Sequence, residues 1–153
     1  MQISIKELPS FKIIGLAIRT TNAEGKSQKD IGELWGRFIR EGIFERIPDK
    51  IDSDVYCLYT DYEDGPNGHY TTIIGAQVSS LERVPEICIG KNIPASKYRV
   101  YNSRGKTPEV IVKTWKEIWN SDTPRKFQTD FDVYGEKSQN PEDAEIMTYV
   151  SVP

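Results

Sequence analysis

Asp54-Val55-Tyr56-Cys57-Leu58-Tyr59-Thr60-Asp61-Tyr62 and Phe127-Gln128-Thr129-Asp130-Phe131-Asp132-Val133-Tyr134-Gly135-Glu136 decide the fold, because they read as two copies of one strand. Each runs into a polar, acidic turn with a proline at the same place. Pro66 lies seven residues after Tyr59, and Pro141 lies seven after Tyr134. Setting the prolines level pairs Tyr56 with Phe131, Leu58 with Val133 and Tyr59 with Tyr134. It also sets Cys57 against Asp132 and Val55 against Asp130. Side chains on a strand alternate between faces. The face with Tyr56, Leu58, Phe131 and Val133 is apolar in both copies and is expected to pack on helices. The other face places acids in the second copy where the first has small apolar groups.

The neighbouring segments repeat as well. Residues 70–78 and 145–152 read as strands returning from the two turns. Ahead of residue 54, Ser27 and Asp30 make a shortened capping box. Ile31, Leu34, Trp35, Phe38 and Ile39 then follow at helical spacing, and Gly42 is a stop. Residues 43–52 read as a loop. Ahead of residue 127, Thr107-Pro108-Glu109 is a helix start, with an N-cap, a proline at the first position and an acid on the dipole. Ile111, Trp115, Ile118 and Trp119 form that helix's apolar face. Residues 2–8, 11–20 and 97–102 read as further strands, with a linking segment between Pro85 and Pro94. Strand, helix, strand, turn, strand thus occurs twice, over about residues 3–78 and 97–152. The expected class is α+β, with duplicated βαββ units and two main helices in one domain spanning 1–153.

Composition narrows the function. The 153 residues carry 20 Lys and Arg against 23 Asp and Glu, a formal charge of −3. No basic block stands out, so direct nucleic-acid binding is not expected. The slight negative balance suits cationic ligands. Cys57 and Cys88 sit in apolar runs without a CxxC, and read as reduced core thiols. His69, the sole histidine, lies in a turn and cannot furnish a zinc cluster with two scattered cysteines. Neither a metal, a cofactor nor a catalytic triad is expected. The N-terminal stretch Met1-Gln2-Ile3-Ser4-Ile5-Lys6 has no apolar run fit for a signal peptide or membrane span, so a cytoplasmic protein is expected.

If the two halves are related by a pseudo-twofold axis, the faces of Cys57 and Tyr59 and of Asp132 and Tyr134 converge on one cleft. An acid flanked by tyrosines would then sit inside it. The competing reading is a solvent-facing strand with ordinary acids.

The segment Phe131-Asp132-Val133-Tyr134, the turn with Pro141, and the strand Glu145-Ile146-Met147-Thr148-Tyr149-Val150-Ser151-Val152 resemble the C-terminal signature of the GyrI-like, or AraC-type effector-binding, domain family. That signature reads Phe-Glu-apolar-Tyr, a turn, then a strand ending near Tyr-apolar-Pro-apolar. The Trp115/Trp119 helix and the Val55–Tyr59 strand look like the family's equivalents. The resemblance implies duplicated βαββ units forming an antiparallel sheet with two main helices and a central ligand cleft where the halves meet. In multidrug-responsive regulators of the AraC and MerR types, the signature Glu accepts lipophilic cations on which aromatic rings stack. The matching position here is Asp132, one methylene shorter, and the Ser151-Val152-Pro153 ending also departs from the pattern. Those regulators carry a DNA-reading helix-turn-helix ahead of this domain, and a stand-alone member without one is expected here.

Asp132 is the strongest ligand-binding candidate. A carboxylate in an apolar cleft loses several kcal/mol of hydration unless paired or protonated, and a cationic ligand would supply the pairing. A permanent partner such as Arg99, Arg125 or Lys137 would remove that role. Glu136 is a second candidate, on the same face if the strand continues, against a solvated position at the turn. Tyr59 and Tyr134 are candidates for stacking and hydrogen bonding, against ordinary cross-strand packing. Trp35, Phe38, Trp115 and Trp119 are candidates for the cleft rim, against a purely core role. The favoured function is binding of a lipophilic, cationic small molecule. The resemblance leaves two others open. One is hydrolysis of reactive electrophiles, with Asp132 or Glu136 as base and Tyr59 or Tyr134 as acid. The other is interaction with a protein partner, a separate regulator or gyrase.

Overall fold

The computed structural model describes residues 2–153. The strands are β1 (Gln2–Leu8), β2 (Phe11–Thr21), β3 (Val55–Thr60), β4 (His69–Val78), β5 (Ile89–Ile93), β6 (Ser96–Gly105), β7 (Thr129–Tyr134) and β8 (Ala144–Val152). The helices are α1 (Lys26–Arg40), the single turn α2 (Ile43–Arg46) and α3 (Glu109–Asn120). All eight strands form one antiparallel sheet, ordered β1-β6-β8-β7-β3-β4-β2-β5. The fold is the expected α+β arrangement.

That order is symmetric about the β7–β3 pair. Each side holds a βαββ unit, β2-α1-β3-β4 or β6-α3-β7-β8. The outermost strands are exchanged: β1 precedes β2 in sequence but pairs with β6, and β5 precedes β6 but pairs with β2. Residues 89–93, expected to be a link, therefore form an edge strand. At the centre, Cys57 and Asp132 are direct partners in the antiparallel ladder. The proline alignment makes the same two residues equivalent in the repeat, so the pseudo-twofold axis passes between them.

The helices lie on the Cys57/Asp132 face, which corrects the expectation that they cover Tyr56, Leu58, Phe131 and Val133. Leu34, Phe38 and Ile43 pack with Leu16, Cys57 and Ile74. On the other side Ile118 and Trp115 pack with Tyr101 and Val150. The opposite face has no helix because the sheet curls onto itself there. The ring centroids of Phe11 on β2 and Phe131 on β7 are 5.4 Å apart, although these strands are three positions apart, roughly 14 Å in a flat sheet. Two glycines permit the curl. Gly15 and Gly75 are direct partners, and a Cβ on either would fall 2.2 or 2.0 Å from a backbone carbonyl oxygen of the other strand.

Three local readings also change. Asp30 does not cap α1: Gly25 occupies the N-cap in a left-handed conformation, while Asp30 accepts from Thr20 Oγ1 at 2.8 Å and Lys26 Nζ at 2.6 Å. Burying Asp30 against Thr20 ties the helix start to β2, which outweighs a local cap. Pro108, rather than Thr107, is the N-cap of α3, and no side chain caps it. Ile39 is 71% exposed, at the edge of the α1 apolar stripe.

Candidate functional site

Helices α1 and α3 lie on one face of the sheet, and between them is a cavity of about 630 Å³. Its walls come from the helix stripes. Leu34, Phe38 and Ile118 point down into the core, which leaves Ile31 and Trp35 on α1, and Ile111, Trp115 and Trp119 on α3, facing the space. Tyr59 and Tyr134, from the central strands, complete the floor. The rings brace one another edge to face: Trp35 with Tyr134 at 5.1 Å, and Tyr59 with Trp115 at 5.3 Å. Such contacts hold ring orientations that free rotamers would lose.

Beneath this floor is Asp132, with no exposed surface. Three neutral groups donate to its carboxylate: Thr148 Oγ1 at 2.6 Å, Tyr59 OH at 3.0 Å, and Trp115 Nε1 at 3.2 Å from both oxygens. Burial pushes the Asp132 carboxyl up to about 6; the three donors pull it back, and the charge of Asp130 adds to the rise. Burial, and then the Asp132 charge, hold the Tyr59 and Tyr134 hydroxyls well above the ordinary phenol range, so both stay protonated.

Asp130, two residues earlier on the same face, is treated differently. Arg125 pairs with it at 2.7 Å, the two side chains being 10% and 0% exposed. Tyr62 OH, Ser151 N and Ser151 Oγ also donate to it. The Arg125 guanidinium lies over the Phe127 ring at 4.2 Å. Arg125 is thus committed to Asp130. Among the described residues, no cationic side chain lies within ion-pair distance of Asp132.

Of the candidates from sequence, Tyr59, Tyr134, Trp35, Trp115 and Trp119 line the cavity, and Asp132 lies directly behind Tyr59 and Trp115. Two lie elsewhere. Phe38 is buried in the core beside Trp35, with ring centroids 6.1 Å apart. Glu136 is exposed in the short turn Glu136–Ser138, because β7 ends at Tyr134. The sequence reading missed Tyr62, Tyr70 and Arg125 in the lining. Tyr70 shares the strand parity of Thr72 and Ile74 and was accessible to the alternation argument. Tyr62 was not, since its direction depends on the left-handed backbone of Asp61 (φ 53°).

Among the described residues there is no group of His, Cys, Asp and Glu fit to hold a metal ion, and no helix long and apolar enough to cross a membrane.

A duplicated βαββ sheet with an aromatic cavity between its two helices defines a small-molecule effector-binding domain of the GyrI-like fold. The profile of the Cass2 family, described as integron-associated effector binding protein, matches residues 4–152, and the chain belongs to that family. It is 31% identical over 153 residues to YobU of Bacillus subtilis (strain 168), a protein named as a transcriptional regulator, covering 97% of this chain and 96% of YobU. An integron cassette protein from the mobile metagenome of Vibrio cholerae superposes with a TM-score of 0.74 at 26% identity, over 99% of this chain and 95% of that one. SAV2435, solved bound to tetraphenylphosphonium, superposes with a TM-score of 0.84 at 17% identity, over 100% of this chain and 94% of that one.

Proposed function

We propose that this protein binds lipophilic organic cations in the cavity between α1 and α3, with Asp132 as the buried counter-charge. One observation carries the reading: a fully buried carboxylate under an aromatic floor has three neutral donors and, among the described residues, no cationic side chain within ion-pair distance. Ring faces attract a desolvated cation by roughly 0.5–2 kcal/mol. A unit charge about 6 Å from the carboxylate, at an effective dielectric near 20, adds about 3 kcal/mol, on the order of 100-fold in affinity. Tetraphenylphosphonium in SAV2435 is a ligand of this chemical kind. Asp132 lies under the rings and Glu136 lies off the cavity, a placement that favours attraction through the floor over direct proton transfer.

The test uses the protein's own fluorescence, since all three tryptophans line the cavity. Titration with tetraphenylphosphonium should quench native emission to saturation, while neutral triphenylphosphine oxide should bind at least about tenfold more weakly. Asp132→Asn should lose most of that preference. Equal affinities for the cation in native and variant protein would remove Asp132 from the account.

A further inference from the structure

We infer that the helix-free face carries a second small-molecule site, a cleft that takes a small aromatic amine in its ammonium form with Asp54 as charge partner. The cleft encloses about 360 Å³, within the size range of ligand pockets. It lies behind the first cavity, across one sheet thickness. Consecutive strand residues point to opposite faces, so Tyr56 and Phe131 line this cleft while their neighbours Cys57 and Asp132 face the helices.

The cleft has the parts of a recognition site. Phe131 and Tyr149 are stacked at 4.6 Å with planes 10° apart. Tyr56 adds a tilted ring 5.8 Å from Phe131. The link Leu8-Pro9-Ser10, crossing from β1 to β2, forms part of its wall. Tyr56 OH donates to Gln77 Oε1 at 3.0 Å, which fixes the amide at the cleft's polar end.

Asp54 is the one charged side chain among the described residues that line it. It is partly buried, and among the described residues its carboxylate accepts no hydrogen bond and joins no ion pair. Gly135 leaves room for it: a Cβ at position 135 would stand 2.9 Å from Asp54 Oδ1. Burial, then the charge of Asp52, raises the Asp54 carboxyl above the ordinary value; burial raises the hydroxyls of Tyr56 and Tyr149, with a smaller contribution from the Asp54 charge. An acid with no partner, facing aromatic rings in a formed cleft, is complementary to an ammonium group carried on a flat ring.

The sequence supplies a reporter. Its two methionines are Met1 and Met147, and Met147 lines the cleft. Protein labelled with 13C at the methionine methyls, its signals assigned with Met147→Leu, is titrated with 2-phenylethylammonium and with neutral 2-phenylethanol. The Met147 signal should move to saturation with the ammonium, and the alcohol should bind at least about tenfold more weakly. Asp54→Asn should abolish that preference yet leave tetraphenylphosphonium quenching of the tryptophans unchanged, which also shows that the variant is folded. Asp132→Asn should leave the Met147 response intact. No movement of Met147 would overturn the site. So would equal binding of alcohol and ammonium to native protein, or a response lost in Asp132→Asn. The tryptophan titration stands apart from all three results, so the two cavities succeed or fail separately.

Discussion

Replacing Asp132 with Asn should stabilise the protein at neutral pH and weaken its hold on cations. The carboxyl is pushed up to about 6 in the fold against 3.8 for the free group. At about 1.36 kcal/mol per pH unit, that gap is a cost of about 3 kcal/mol to the ionised native state. The sign follows from proton counting. Between pH 3.8 and about 6 the native state binds more protons at this site than the unfolded chain. Stability from this group therefore falls as pH rises through that window and stays low above it. Urea unfolding of both proteins, followed by tryptophan emission, gives two curves of stability against pH. Their difference cancels the titrations both share, including that of Asp54. The variant's advantage should grow by about 2.4 kcal/mol between about pH 4 and about pH 8. A flat difference, or one that shrinks with rising pH, would show that the donors from Thr148, Tyr59 and Trp115 outweigh the lost hydration, and the reasoning would be wrong.

The same linkage predicts that the dissociation constant for tetraphenylphosphonium rises as pH falls below about 6 in native protein and stays level in Asp132→Asn, measurable by quenching across the window. Trp115→Phe removes one of the donors that lower the Asp132 carboxyl, so the midpoint of that pH profile should move upward. Arg125→Met leaves Asp130 buried without its cation and should destabilise by roughly 3–5 kcal/mol in urea titrations. Phe38→Ala should cost about 3–5 kcal/mol of stability with cation affinity changed less than about threefold, because the ring is in the core and off the cavity. Gly75→Ala should prevent soluble expression or cut stability by more than about 3 kcal/mol, since its Cβ would sit 2.0 Å from Ile14 O.

The equivalence of the two central strands was legible in the sequence because it rests on local signals, while their pairing as neighbours was not read. Period-two alternation and two prolines at equal offsets are enough to make Cys57 and Asp132 equivalent, and the ladder pairs those two residues. The face that receives the helices was not legible. Tyr56 and Leu58 on one side, and Cys57 and Tyr59 on the other, are all apolar enough to be covered, and both sides are. What separates them is the curl at Gly15 and Gly75, which closes one face with the sheet's own rings and leaves the other to α1 and α3. Strand β5 escaped for a similar reason. Ile89-Gly90-Lys91-Asn92-Ile93 has little strand pattern of its own and is a strand because β2 offers it an unpaired edge. Asp30 looked like a cap because its partner Thr20 lies ten residues away, on another element.

The pseudo-twofold axis also explains why the site carries its charge in one copy only. Residues equivalent by the repeat are, at this one position, direct neighbours across the ladder. Like charges directly opposite each other are destabilising, and in a buried pair both could not ionise. A symmetric pair of acids at the axis is thus a poor solution, whereas a thiol beside a carboxylate is a workable one. Cys57 is accordingly buried, its thiol held well above its ordinary range by burial and by the Asp132 charge, and it donates to Tyr59 OH at 3.4 Å. That hydroxyl in turn donates to Asp132. The departure from symmetry that sequence alignment displays as Cys57 against Asp132 is thus the feature that lets a duplicated scaffold hold a single negative charge at its centre.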